Sequence, residues 1–339
     1  MKTSDFDYNL PPERIAQTPV EPRHAARLLV LRRDQAGLEH TTFWHIGEYL
    51  RPGDLLVVNE TRVIPARVFA HKPTGGQVEI LLLKKVAECT WEALVGGKRV
   101  LPGLSLRLED GLQAEVTGEL NGSRRLVRFE EPVESHLEHI GQMPLPPYIH
   151  TPLQDPQRYQ TVYAATPGSA AAPTAGLHFT PELIGRLEEQ GVGLARVTLH
   201  VGLDTFAPVK EDDPQQHHIH TEWCELTPEV AAQVNATRRA GGRVVAVGTT
   251  SVRTLESAAQ AAAAGQAVAP FSGTTGLYIL PGYRFRAVDA MVTNFHLPRS
   301  TLLMLVSAFV GRERILEVYQ EAVQREYRFF SFGDAMLLL

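Results

Sequence analysis

The sequence predicts a mixed α/β body with an inserted small antiparallel β-barrel, and three observations carry that prediction. Short alternating segments broken by glycine turns run from about Arg62 to Val133. Helical and strand patterns alternate from about Gln154 onward. A continuous apolar run, Leu55-Leu56-Val57-Val58, stands ahead of the first texture and has the composition of a strand buried on both faces. The body is therefore read as residues 1–61 plus 150–339, and the barrel with its proline-rich connector as 62–149.

Within the barrel, strands are expected over 63–71, 77–86, 90–95, 104–108, 113–117 and 124–129. Gly75-Gly76, Gly96-Gly97, Gly111 and Asn121-Gly122 supply the turns. The segment M-P-L-P-P-Y-I, Met143 to Ile149, suits an extended connector because its prolines cannot join a ladder or a helix interior. Further on, Thr180-Pro181 and Thr227-Pro228 each set a capping hydroxyl before a proline at the first helical position, and Gly191 and Gly241 end those helices. Strands are expected next at 192–201 and 243–247, and Ala258 to Ala264 reads as helix interior.

The 339 residues suffice for two domains and a substantial core. Cys89 and Cys224 form no disulfide framework and no four-cysteine zinc site, which suits a reducing compartment. The first residues carry acid and lack the apolar stretch of a signal peptide, and no window approaches about 18 uninterrupted apolar residues. A cytoplasmic protein with no membrane segment is expected. The net charge of -5 and pI near 6.2 exclude the strongly basic footprint of a dedicated nucleic-acid binder. A local strip of Lys84, Lys85, Lys98, Arg99, Arg124, Arg125 and Arg128 remains a candidate RNA face, although Glu79, Glu115 and Glu119 favour plain solvated strand faces.

Three histidines sit in apolar or small-residue runs: His178 in P-T-A-G-L-H-F-T, His200 in V-T-L-H-V-G and His296 in T-N-F-H-L-P. One such histidine is more often structural than functional, but three together point to proton-transfer chemistry. The run A-V-G-T-T-S-V-R, Ala246 to Arg253, reads as a strand leaving through Gly248 into a helix. Its first turn is either an ordinary hydroxyl cap or a seat for a carboxylate or phosphate, with Arg253 one turn in. His217, His218, His220, Glu222 and Cys224 are the densest set of metal-ligand types. Their spacing matches neither H-E-x-x-H nor the zinc deaminase signature, so acid–base or hydrogen-bonding duty is the preferred reading. No P-loop, dinucleotide fingerprint or nucleophile elbow is present. The aromatics of Y-R-F-F-S-F-G-D-A-M, Tyr327 to Met336, suit a core or a face covering a base.

Taken in order, these segments resemble the S-adenosylmethionine:tRNA ribosyltransferase-isomerase family of the queuosine pathway. The resemblance runs nearly end to end: F-D-Y-N-L-P, N-E-T-R-V-I-P-A-R from Asn59, G-G-Q-V-E-I, M-P-L-P-P-Y-I, A-P-T-A-G-L-H-F, V-T-L-H-V-G, the H-x-x-H-x-E of His217, His220 and Glu222, V-G-T-T-S-V-R-T-L-E-S, T-N-F-H-L-P and Y-R-F-F-S-F-G-D-A-M. Glu60, where Asn or Asp is also familiar, and Trp223, where Tyr is common, depart from the pattern.

The resemblance implies an α/β body whose sheet is distorted and barrel-like, and a transferase that uses S-adenosylmethionine as a ribosyl donor. The acceptor would be 7-aminomethyl-7-deazaguanine at the tRNA wobble position, with adenine and methionine released and epoxyqueuosine-tRNA formed. S-adenosylmethionine is then a substrate, no cofactor or metal is required, and a monomer is expected. His178, His200, His220, Glu222 and His296 become the expected acid–base set. Asn59, Arg62, Thr174, Gly176, Gly248, Thr249, Thr250, Arg253 and Asn294 become the expected substrate contacts, with the tRNA reaching Arg62, Arg67 and barrel lysines across the cleft between body and barrel. Two rival readings are a non-catalytic tRNA-binding protein and a zinc-dependent hydrolase built on His217, His220 and Glu222.

Overall fold

The computed structural model describes residues 1–202 and 208–339. It divides into two compact units, one of Met1–Arg62, Pro147–Thr166 and Ala172–Leu339, the other of Val63–Pro146 and Pro167–Ala171. The chain begins with β1 (Arg27–Leu31), β2 (Leu38–Thr42), β3 (Leu55–Asn59) and the short β4 (Thr61–Val63). Six strands follow, β5 (Arg67–His71), β6 (Gln77–Ala87), β7 (Thr90–Val95), β8 (Ser105–Leu108), β9 (Gln113–Glu119) and β10 (Arg124–Phe129), then the single turn α1 (Leu137–Ile140) and β11 (Thr166–Ser169). Beyond these come α2 (Pro181–Glu189), β12 (Gly193–Leu199), β13 (Glu222–Leu226), α3 (Pro228–Arg239), β14 (Val244–Val247), α4 (Thr249–Gln260) and β15 (Phe271–Thr275). The chain closes with β16 (Ala290–Asn294), α5 (Thr301–Val310), α6 (Arg312–Gln324) and β17 (Ala335–Leu338).

In the larger unit, nine strands form one mixed sheet in the order β15-β13-β12-β3-β14-β16-β17-β1-β2. β3 lies parallel to β12 on one side and to β14 on the other, and every residue of β3 is buried. Alternation along it divides the core. Leu55 and Val57 face the cluster that holds Leu255, Leu303 and Val318, while Leu56 and Val58 face Phe43, Phe179 and Leu183 on the opposite side. Each such fully buried side chain contributes roughly 1.5–3 kcal/mol. The parallel arrangement sends the C-terminal ends of β14 and β16 to the same side, where Gly248 and Phe295 leave the sheet. Open α/β sheets bind ligands beyond those ends.

Both expected caps form: the Thr180 hydroxyl accepts from the Leu183 N–H and the Thr227 hydroxyl from the Val230 N–H. Two expectations need correction. The strand expected over 63–71 is broken into β4 and β5, because Pro65 has no N–H to donate and restricts Ile64 before it. The alanine run does not continue the helix: α4 ends at Gln260, where the core ends too. Ala258 and Ala259 are buried whereas Gln260 is exposed, and alanine propensity alone does not hold further turns together.

The smaller unit contains a closed barrel in the order β10-β7-β6-β5-β8-β9. Its interior takes alternate residues, Trp91, Ala93 and Val95 from β7 and Val127 and Phe129 from β10, and closure removes exposed strand edges. Outside, Arg124 pairs with Glu92, Arg125 with Glu119, Arg128 with Glu115 and Lys85 with Glu134. Four members of the expected basic strip are thus neutralised by carboxylates of the barrel itself. Among the described residues, no helix is long and apolar enough to cross a membrane.

Candidate active site

A cavity with about 610 Å³ of empty space, part of it open to solvent, lies in the larger unit where β14 runs into α4 and β16 ends. Its polar wall is the first turn of α4. Gly248 sits at the N-cap with φ 87, a left-handed conformation that β-branched residues resist, and no side chain among the described residues caps the helix. An ordinary hydroxyl cap is therefore not what the T-T-S sequence builds. Ser251 Oγ turns back to the Val247 carbonyl, Thr254 Oγ1 to the Thr250 carbonyl, and Thr250 Oγ1 is buried without a partner among the described residues. The leading N–H groups of α4 and the Thr250 hydroxyl are left facing the cavity region, favourably placed for an anion.

The opposite wall is aromatic. Tyr148 and Phe330 line the cavity with ring centroids 4.7 Å apart, and the Tyr148 hydroxyl meets Ser331 Oγ at 2.7 Å. Phe330 has φ 68, and the loop that imposes this is held by Asp334, whose carboxylate accepts the Arg27 and Arg328 N–H groups at 2.8 Å each. A Cβ at Gly333 would lie 2.4 Å from the Arg328 carbonyl, so only glycine closes that loop.

His296 lines the same cavity. Its backbone is gripped from both sides: the Tyr319 hydroxyl accepts the His296 N–H at 2.9 Å, and the Tyr8 hydroxyl donates to its carbonyl at 2.5 Å. Its Nε2 meets Thr293 Oγ1 at 2.8 Å. His178 stands one residue behind the wall. Thr174 Oγ1 donates to Asn294 Oδ1 at 3.0 Å, and Asn294 Nδ2 lies 3.2 Å from the Phe330 carbonyl and 3.3 Å from His178 Nε2. Those partners orient the Asn294 amide, so His178 Nε2 accepts and its proton rests on Nδ1. Burial pushes the pKa of His296 down to about 3. Burial, then repulsion from Arg23 and Arg328, does the same to His178, also to about 3. Both imidazoles are neutral at physiological pH.

A second, smaller pocket shares Leu302 with the first and is lined by His217, His220, Glu222, Arg253 and Tyr278. Its charges answer one another. Glu222 and Arg253, about 5% and 4% exposed, form an ion pair, and the Gly202 N–H donates to Glu222 Oε1 at 2.8 Å. Arg253 also reaches the Leu277 and Thr275 carbonyls. His217 Nδ1 lies 2.9 Å from Glu211. Among the described residues, no three His, Cys, Asp or Glu side chains converge as a set that could hold a metal.

The expected site residues thus fall into groups. Thr174, Gly248, Thr249, Thr250, Asn294 and His296 line the cavity, with His178 bonded to Asn294; His220, Glu222 and Arg253 line the second pocket. His200 lines neither, since its Nδ1 meets Thr61 Oγ1 at 2.8 Å and its ring stacks on Trp223, with burial lowering its pKa. Asn59 spends its amide on the backbone of Leu199 and Thr61. Gly176 packs against Tyr163, whose hydroxyl would lie 2.1 Å from an added Cβ, and Arg62 lines neither pocket. Sequence reasoning missed Tyr8 and Tyr148 as parts of the site; both lie in quoted motifs, but neither a lone aromatic nor one next to prolines carries a mark of a ligand wall.

A family model described as queuosine biosynthesis protein matches residues 3–338. Among curated proteins, the S-adenosylmethionine:tRNA ribosyltransferase-isomerase of Symbiobacterium thermophilum is 57% identical and that of Moorella thermoacetica 56%, each match covering 100% of both chains. Among solved structures, the S-adenosylmethionine tRNA ribosyltransferase of Thermotoga maritima matches with a TM-score of 0.58 and 42% identity, over 99% of this chain and 100% of that one.

Proposed function

The chain belongs to the queuosine biosynthesis protein family, and we propose that it is an S-adenosylmethionine:tRNA ribosyltransferase-isomerase. In this reading it passes the ribosyl portion of S-adenosylmethionine to the aminomethyl group of 7-aminomethyl-7-deazaguanine at the tRNA wobble position. Adenine and methionine leave, and epoxyqueuosine-tRNA forms. The observation that carries the reading is the α4 cavity, which combines helix-end donors, an aromatic wall and an imidazole kept neutral by burial.

Each part answers a demand of the chemistry. The methionine carboxylate takes the N–H groups at Thr249 and Thr250, where the helix dipole favours negative charge. Tyr148 and Phe330 offer faces for the adenine and for the sulfonium. A sulfonium acidifies the hydrogens of the adjacent C5′, and a neutral base can remove one to give an ylide; an imidazolium cannot. His296, with Nε2 engaged by Thr293, keeps Nδ1 for that exchange. Loss of adenine requires a donor at the ring, and attack of the acceptor amine and closure of the epoxide expel methionine. S-adenosylmethionine is consumed, so the sequence balances without a redox partner.

Purified protein mixed with S-adenosylmethionine and tRNA carrying the aminomethyl base should release adenine and methionine. No release in the presence of bound correct tRNA would sink the reading.

A further inference from the structure

A third cleft, with about 260 Å³ of empty space that is partly open to solvent, lies behind the cavity and is lined by Arg23, Arg158, Leu177, His178, Ser331 and Gly333 among others. It touches the cavity at two points: Ser331 lines both, and His178 on its floor is bonded to Asn294 on the cavity wall. Its guanidinium groups are aimed mainly by neutral oxygens. Arg23 donates to the Leu177 carbonyl at 3.2 Å and the Gln157 carbonyl at 2.9 Å, and Arg158 to the Val20 carbonyl at 2.9 Å. Arg328, beside them, donates to the Thr18 carbonyl. Carbonyls fix a guanidinium without cancelling its charge. The nearby carboxylates are Glu21, 2.6 Å from Arg158 but 67% exposed, Asp155, which caps the Gln157 N–H, and Asp334, occupied by two backbone N–H groups. The arginines repel one another: burial and then Arg158 lower the pKa of Arg23 to about 10. Pre-aimed forks with spare donors, held together against repulsion beside a ligand cavity, match a tetrahedral oxyanion.

We propose that the Arg23–Arg158 cleft is a phosphodiester subsite, which seats an RNA backbone phosphate next to the nucleotide that enters the α4 cavity. This rests on the proposed tRNA substrate. A phosphate there would offset the positive field on His178 and fix the strand one residue from the reacting base.

The test uses the full chain and a fluorescently labelled, unmodified anticodon stem-loop RNA, read by anisotropy, with S-adenosylmethionine binding measured in parallel by calorimetry. Arg23→Gln and Arg158→Gln should each weaken RNA binding about 5- to 10-fold and lower the salt slope by about one, leaving S-adenosylmethionine affinity unchanged. Arg314→Gln removes the same charge from the outer face of α6 and should change little. Because both arginines also tie down carbonyls, Arg23→Lys and Arg158→Lys check folding and should recover part of the RNA affinity. The proposal is overturned if the Gln variants bind RNA as Arg314→Gln does, or if they lose S-adenosylmethionine instead, which would make the cleft a carboxylate seat. Failure of the unaltered protein to bind the RNA or turn over tRNA would count against the substrate reading itself.

Discussion

The two pockets that meet at Leu302 are finished in opposite ways. Around the α4 cavity the polar groups are neutral; among the described residues, the Thr250 hydroxyl and the leading N–H groups of α4 have no partner, while the His296 ring meets only the Thr293 hydroxyl. In the pocket beside it the acidic and basic side chains bind one another, Glu222 to Arg253 and His217 to Glu211. Self-neutralised charge holds a wall in place, whereas neutral donors with no partner among the described residues suit a ligand, so the proposed chemistry falls to the first pocket and support to the second. One helix serves both: α4 presents Thr249 and Thr250 to the cavity and Arg253, a turn later, to the ion pair. The same helix is anchored at Glu256, which accepts the Arg286, Ala287 and Val288 N–H groups and the Tyr283 hydroxyl.

The largest effect should come from breaking the supporting pair. Arg253→Met leaves the Glu222 carboxylate buried without its cation and should cost about 3–5 kcal/mol in denaturant unfolding, while Glu222→Leu combined with Arg253→Met should recover most of it. A single variant as stable as the parent would show that this pocket is no lock.

Next comes turnover. His296→Ala should lower kcat by about 10²-fold, the loss usual for a general acid or base, and His178→Ala, which acts through Asn294, by less, whereas His220→Ala should stay within a few-fold. The reverse ranking would exchange the roles of the two pockets.

The neutral imidazoles also predict how stability follows pH. His178 and His296 have folded pKa values near 3, below the ordinary value of about 6.5, so between those limits the unfolded chain binds more protons than the folded one. Stability from these two is complete above about pH 6.5 and is lost as pH falls toward 3, at up to about 1.4 kcal/mol per pH unit for each. Urea titrations of the parent and of His296→Ala between pH 4 and 7 should show a shallower slope in the variant; equal slopes would mean that His296 is not buried neutral.

Much of the architecture was legible because it follows local rules. The Val-Leu run of β3, the Thr-Pro caps and the glycine-punctuated barrel strands each obey a period or a capping chemistry that needs no distant partner. The site was legible only where a motif bundles its own parts, as in G-T-T-S around Gly248. What the sequence hides is pairing over long separations. Nothing near Glu222 says that Arg253 will neutralise it, nothing near Asn59 says that Leu199 will take its amide, and nothing near Phe330 says that Tyr148 will lie against it. The basic residues of the barrel show the same limit, since Arg124 and Glu92 meet only across neighbouring strands.

The smallest test probes how the cavity wall sets a proton. Thr174 fixes the Asn294 amide by donating to Oδ1, and only that orientation points Nδ2 at His178 Nε2. Thr174→Val keeps the shape of the side chain and removes the donor, at a cost of about 1 kcal/mol for one hydrogen bond, or roughly five-fold in kcat/KM. If the bond acts through His178, the loss should vanish in a His178→Ala background, because the residues then form one coupled unit in a double-mutant cycle. Equal losses in both backgrounds would instead place Thr174 on the ligand directly, and the neutral, tautomer-fixed wall that distinguishes this pocket from its charged neighbour would be confined to His296.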